Sequence, residues 1–211
     1  MEDAALPTSA LSDGERLRTY LLWSLLVGVA FFGVYPAMNW ITSRRPSPFH
    51  LYFSAELAIP FVPQFIWVYL SMYVLFLVPL FVVPAASMPA LGKQLIAGSL
   101  VSALFFLLIP AELGFVREVP AAAPYAAIFA NVFSVDRPYN LVPSLHVIFS
   151  SAIVLACADC ARPPFRVVLY VWLGVIVVST LFVHQHHLLD VAAALAIVYV
   201  LRRRYEVIHD D

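Results

Sequence analysis

Two histidines and an aspartate, His146, His186 and Asp190, carry the chemistry this chain offers most plainly. His186 and Asp190 are four residues apart, so they share one helix face about a turn apart if that helix begins by His186. A carboxylate so placed accepts the proton of one ring nitrogen, fixes the tautomer and makes the other nitrogen a better nucleophile. His146, at the start of a facing helix, can donate a proton to a leaving oxygen and later take one from an incoming hydroxyl or water. Arg137, Asn140, Ser144 and Ser179 supply donors for an oxyanion, and the Arg137 fork can bind phosphate bidentately. Together these are the parts of a phosphoryl transfer that passes through a phosphohistidine.

The elements that must position them are membrane helices. The 211 residues are 63% hydrophobic and 12% charged, with a mean hydropathy of +0.89, which does not suit a soluble domain whose surface must be mixed and charged. About 20 apolar residues cross the hydrocarbon as a helix. Six runs, some of them short, are expected to do so: Tyr20–Trp40, Phe65–Val83, Leu95–Ile109, Val147–Cys160, Val167–Val183 and Leu188–Leu201. The segment Met1–Thr19 is acidic and mixed, and no small-residue cleavage site follows a short apolar core, so the first run is expected to be a retained span. The expected organisation is a cytoplasmic segment 1–19, a membrane domain 20–201 and a cytoplasmic tail 202–211, with no soluble domain left over.

An even number of spans puts both termini on one side, and basic residues choose the side. Arg16, Arg18, Lys93, Arg162, Arg166, Arg202, Arg203 and Arg204 fall with the termini, against Arg44, Arg45, Arg117 and Arg137 opposite. The termini are therefore expected in the cytoplasm, and both ends of the polar stretch 136–190 toward the other face. A net charge of −1 gives no reason to expect nucleic acid, and Arg202–Arg204 read as a cytoplasmic headgroup anchor. Cys157 and Cys160 form a lone pair without the further ligands zinc needs, and are read as small hydrophobes.

Asn39 to Phe49 is expected as a non-cytoplasmic loop, and Glu56 precedes Ile59-Pro60-Phe61-Val62-Pro63, where two prolines mark an entry turn. Pro84 to Lys93 reads as a cytoplasmic turn. Beyond Pro110 a long loop carries Glu112, Arg117, Glu118, Asp136 and Arg137 around an apolar piece, Tyr125–Phe133, expected as a short amphipathic helix on the membrane. Pro143-Ser144 opens the next helix, whose free backbone N–H groups, with the Ser144 hydroxyl, make a natural anion cradle.

Pro143-Ser144-Leu145-His146 and Ser179-(six residues)-His186-(three residues)-Asp190 resemble the second and third motifs of the type 2 phosphatidic acid phosphatase superfamily, whose usual forms are PSGH and SRxxxxxHxxxD. The string DRPYNLVPSLH followed by QHHLLD is similar to bacterial membrane members and to the inositol-phosphorylceramide-synthase-like branch. The resemblance implies an all-α, six-helix membrane core in the bacterial inner membrane, with no metal or cofactor and a phosphorylated lipid as substrate. It also implies His186 as nucleophile, Asp190 as its orienting partner and His146 as general acid. Thr180 stands where phosphatases usually have a phosphate-holding arginine, and Leu145 replaces the glycine. The first motif is degenerate: Arg117-Glu118-Val119-Pro120 is one candidate, and Arg137-Pro138 has Ala130 where lysine is usual. Arg137 and then Arg117 are the expected phosphate ligands.

The expected function is a membrane-embedded lipid phosphatase, with a phosphotransferase to a lipid or sugar hydroxyl as the alternative acceptor. A non-catalytic lipid-binding or transport relative is the reading from another class. His146, His184, His186, His187 and Asp190 are also zinc ligand types, though adjacent histidines on a helix point about 100° apart and do not converge easily. Capping of the last helix is a simpler role for Asp190, and a bond to a backbone carbonyl in its own helix a simpler one for Ser179. Oligomeric state is not set by the sequence.

Overall fold

The computed structural model describes residues 13–45 and 48–206, and these are helical with no strands. α1 (Asp13–Thr42) is 30 residues long and carries Asp13 and Glu15 in its first turn, where carboxylates complement the helix dipole. It begins seven residues before the expected run, because Glu15, Arg16, Leu17 and Arg18 are good helix formers that continue the pattern outward. The segment expected as Phe65–Val83 is instead three short helices, α2 (Ile66–Leu70), α3 (Met72–Leu75) and α4 (Val78–Val82). Pro79 has no N–H for a continuous ladder. At the first break the Ser71 hydroxyl donates to the Val68 carbonyl at 2.6 Å and accepts the Trp172 indole N–H at 2.8 Å.

α5 (Met88–Leu108) opens with Pro89 in its first turn, so the expected turn Pro84 to Lys93 is shorter than it reads in sequence. Its buried side is lined by Gly92, Gly98, Ser99, Ser102 and Ala103, small residues that let neighbouring helices approach closely. A Cβ on Gly98 would lie 2.8 Å from Ile148 Cγ2 of the adjoining helix. α6 (Tyr125–Val135) is the expected helix in the long loop, and it buries Phe129 and Val132 against Ile66, Tyr69 and Val183.

α7 (Leu145–Cys160) is apolar on all sides and is the centre of the fold, packed by α3, α4, α5, α8 (Pro163–Phe182) and α9 (Leu188–Arg204). α1 lies chiefly against α5 and meets the broken α2–α4 segment mainly at α4. Arg202 in the last turn of α9 pairs with Asp159 at the end of α7 at 2.6 Å.

Asp13–Thr42, Ala85–Leu108 and Pro163–Phe182 are long and apolar enough to cross a membrane. Their outward faces expose Leu21, Leu25 and Val29 on α1, Leu100 and Leu104 on α5, and Val167 and Val171 on α8. Such continuous apolar surface is compatible with a membrane protein.

Candidate active site

The turn between α8 and α9 brings the histidines together. Gln185 and His186 both donate their backbone N–H to the Thr180 carbonyl, at 3.0 and 3.2 Å, and His184 takes a left-handed φ of 53°. α9 then starts at Leu188, after His186, so His186 and Asp190 do not share a helix face as expected. Capping makes the pairing instead. Asp190 Oδ2 accepts the His187 backbone N–H at 2.8 Å and stands 3.2 Å from His186 Nδ1. One carboxylate thus closes the helix and holds the ring, combining two roles that are alternatives in the sequence. With Nδ1 engaged, Nε2 is the ring nitrogen left for other contacts.

His146 lies in the first turn of α7, its ring stacked on Tyr69 with centroids 3.8 Å apart. Its Nε2 is buried and has no hydrogen-bond partner among the described residues. His146 and His186 line one cavity of about 450 Å³, with Arg117, Asp136, Arg137, Asn140 and Gln185 at the same polar end. Arg117 donates to the Asp136 carbonyl at 2.5 Å and to Gln185 Oε1 at 3.4 Å, and lies over the Phe133 ring. Burial pulls its guanidinium below arginine's ordinary pKa, and the Asp136 carboxylate pulls it back up. Arg137 is exposed at the cavity rim.

The remaining expected residues are bonded into the scaffold, Asn140 while lining the cavity. Asn140 accepts from Thr42 Oγ1 at 2.8 Å and donates to Asn39 Oδ1 at 2.9 Å, tying the loop to the end of α1. Ser144 caps α7, its hydroxyl accepting the Val147 N–H at 3.3 Å, while its own N–H donates to the Asp190 carbonyl at 3.1 Å. Ser179 is fully buried and donates to the Ile176 carbonyl at 2.6 Å, and Thr180 donates to Val177 at 2.7 Å. Neither lines the cavity.

Three carboxyl and amide groups absent from the expected site complete its surroundings. Asp136 accepts the hydroxyls of Tyr35 at 2.8 Å and Tyr69 at 3.3 Å, joining α1 to α2 across the cavity. Gln185 holds Arg117. Glu56, in a short 3₁₀ turn (Ser54–Ala58), reaches His187 Nδ1 at 3.1 Å and the Leu188 N–H at 2.8 Å. His187 Nε2 accepts the Gly114 N–H at 3.1 Å, so Nδ1 carries the proton and donates to Glu56. Phe115 is stacked between His184 and His187, at 4.0 and 4.4 Å. A carboxylate just ahead of an apolar segment was the signal for Glu56; Tyr35 and Tyr69, among many aromatics, gave none. Among the described residues no three His, Cys, Asp or Glu side chains are grouped to hold a metal ion.

No family model, curated protein or solved structure matches this chain.

Proposed function

We propose that the protein is a membrane-embedded lipid phosphatase working through a phosphohistidine. The observation that carries this reading is the shared cavity: His186, oriented by Asp190 at 3.2 Å, and His146 line one space with Arg117 and Arg137. His186 Nε2 attacks phosphorus, and the bond from phosphorus to the lipid oxygen breaks as His146 delivers that oxygen its proton. Water then attacks the phosphorus of the phosphohistidine, His146 takes the water proton, and phosphate leaves with His186 restored. Arg117 and Arg137 supply the cationic donors that Thr180 lacks.

The helices are arranged as six spans with both termini in the cytoplasm and the polar end of the cavity toward the opposite face. The preponderance of basic residues beside the termini supports that orientation. Substrate enters sideways from the bilayer.

The test is turnover by purified protein in liposomes with a panel of radiolabelled phospholipids and prenyl phosphates, chelator present, beside His186→Ala. Release of free phosphate that disappears in the variant supports the phosphatase. A new phosphorylated alcohol in place of free phosphate moves the reading to a phosphotransferase. Equal behaviour of the two proteins across the panel overturns it in favour of a binding protein.

A further inference from the structure

The cavity is much longer than a phosphate requires. From His186 and Arg117 it descends beside α1, lined by Tyr35, Phe31, Gly28, Trp23 and Tyr20 along a single helix face. Tyr20 to Tyr35 is 15 residues, roughly 22 Å at the helical rise per residue. One leaflet contributes only about 15 Å, half of the hydrocarbon core. The lining is apolar below the polar end, and Phe32 (72% exposed) and Tyr73 (61% exposed) stand at its outer rim, where α1 and α3 part.

The lower end is crossed by side chains. The Trp23 ring is seated on α5 at Gly92, where an added Cβ would lie 2.2 Å from the ring, and the Tyr20 hydroxyl donates to the Phe76 carbonyl at 3.2 Å. Midway, a Cβ on Gly28 would meet nothing within 4 Å. The slot is therefore open at its waist and narrowed by Trp23 and Tyr20 at its floor.

We infer that this slot takes one extended hydrocarbon chain of the substrate, longer than a single leaflet, and that Trp23 on Gly92 sets the greatest length accepted. The inference rests on a lipid phosphate occupying the polar end. Lipid tails are as apolar as the slot lining, so moving a chain from the bilayer into the slot gains little hydrophobic energy. Selection is by exclusion: a chain that reaches the floor overfills a packed space.

The experiment uses n-alkyl phosphates of stepwise increasing length as substrates for the full chain in nanodiscs, reading the ratio of long-chain to short-chain kcat/KM. Wild type shows a cut-off beyond which kcat/KM falls about tenfold or more, the scale of overpacking a filled core. Gly28→Phe moves the cut-off to shorter chains and Trp23→Ala moves it to longer ones. Gly33→Phe, on the same helix but off the slot, leaves it in place. Because the ratio is taken within each variant, a partial folding loss does not imitate the shift. The length series is repeated as equilibrium binding to His186→Ala, with n-alkanols beside the phosphates. A cut-off that shifts with Gly28→Phe while alkanols bind as well as phosphates upholds the slot and overturns the phosphate reading. Turnover lost in His186→Ala with a flat length profile upholds the phosphatase and overturns the slot.

Discussion

Glu56 Oε2 stands 3.1 Å from His187 Nδ1, in a pair whose side chains are almost wholly removed from solvent. The same oxygen takes the Leu188 N–H, so a turn between the first two helical segments fastens the start of α9, the helix that carries Asp190. Glu56→Ala takes the acceptor from the buried His187 Nδ1–H and from the Leu188 and Phe53 N–H groups, and is expected to lower stability by about 3 kcal/mol. Glu56→Gln keeps one acceptor and is expected to cost about 1 kcal/mol. Denaturant or thermal unfolding in detergent measures both, and equal losses would show that the carboxylate does not fasten the helix.

Acid should loosen the same corner. Burial pushes the pKa of His187 below the ordinary histidine value, outweighing the pull of Asp190 and Glu56, and burial does the same to His184. Each folded-state pKa is lower than the unfolded one, so between them the unfolded chain binds more protons. Stability therefore falls as pH drops below about 6.5 and levels off only below the depressed values. Unfolding followed across this range should show that slope, and His187→Asn should reduce it.

Asp190→Asn separates helix capping from ring orientation. The amide oxygen can still accept the His187 N–H, so stability should change by less than about 1 kcal/mol. Without the carboxylate the His186 tautomer and its charged form lose their support, and kcat should fall by about 10³ to 10⁴, the scale seen when a buried histidine-orienting aspartate becomes asparagine. Parallel kinetics and unfolding decide whether the two losses part in this way.

The two arginines should differ. Arg137 sits exposed at the rim, so Arg137→Ala should raise KM about tenfold, the scale of a hydrogen bond to a charged group, with unfolding unchanged. Arg117 also carries the Asp136 carbonyl and Gln185, so Arg117→Ala should weaken binding and lower the unfolding midpoint together. Substrate saturation curves beside melting curves resolve the difference.

Most helices were readable because long apolar runs have few other fates, and α9 starts at Leu188 as expected. The broken α2–α4 segment was not, since apolar residues dominate its hydropathy while Ser71 and Pro79 decide its path. In the site, the spacing of His186 and Asp190 announced their contact but not its route. That route depends on where the helix begins: with the start at Leu188 and not by His186, the contact is made through the cap. For Ser179 the simpler of its two expected roles is the one seen: in an apolar helix a hydroxyl finds its nearest carbonyl first. Glu56 lies too far along the chain from His187 for any local pattern to pair them.

The Ser144 N–H bonded to the Asp190 carbonyl ties the first turn of α7 to the first turn of α9. The helix that carries His146 and the turn that carries His186 are thereby held side by side at the cavity. On the proposed reading, admission of a lipid falls to the wall opposite, where α1 and α2 are joined across the cavity through Tyr35, Tyr69 and the Asp136 carboxylate between them. On that reading, breathing of the hydroxyl latch would open a side door while His146 and His186 keep their spacing, which makes gate and catalyst separate mechanical parts.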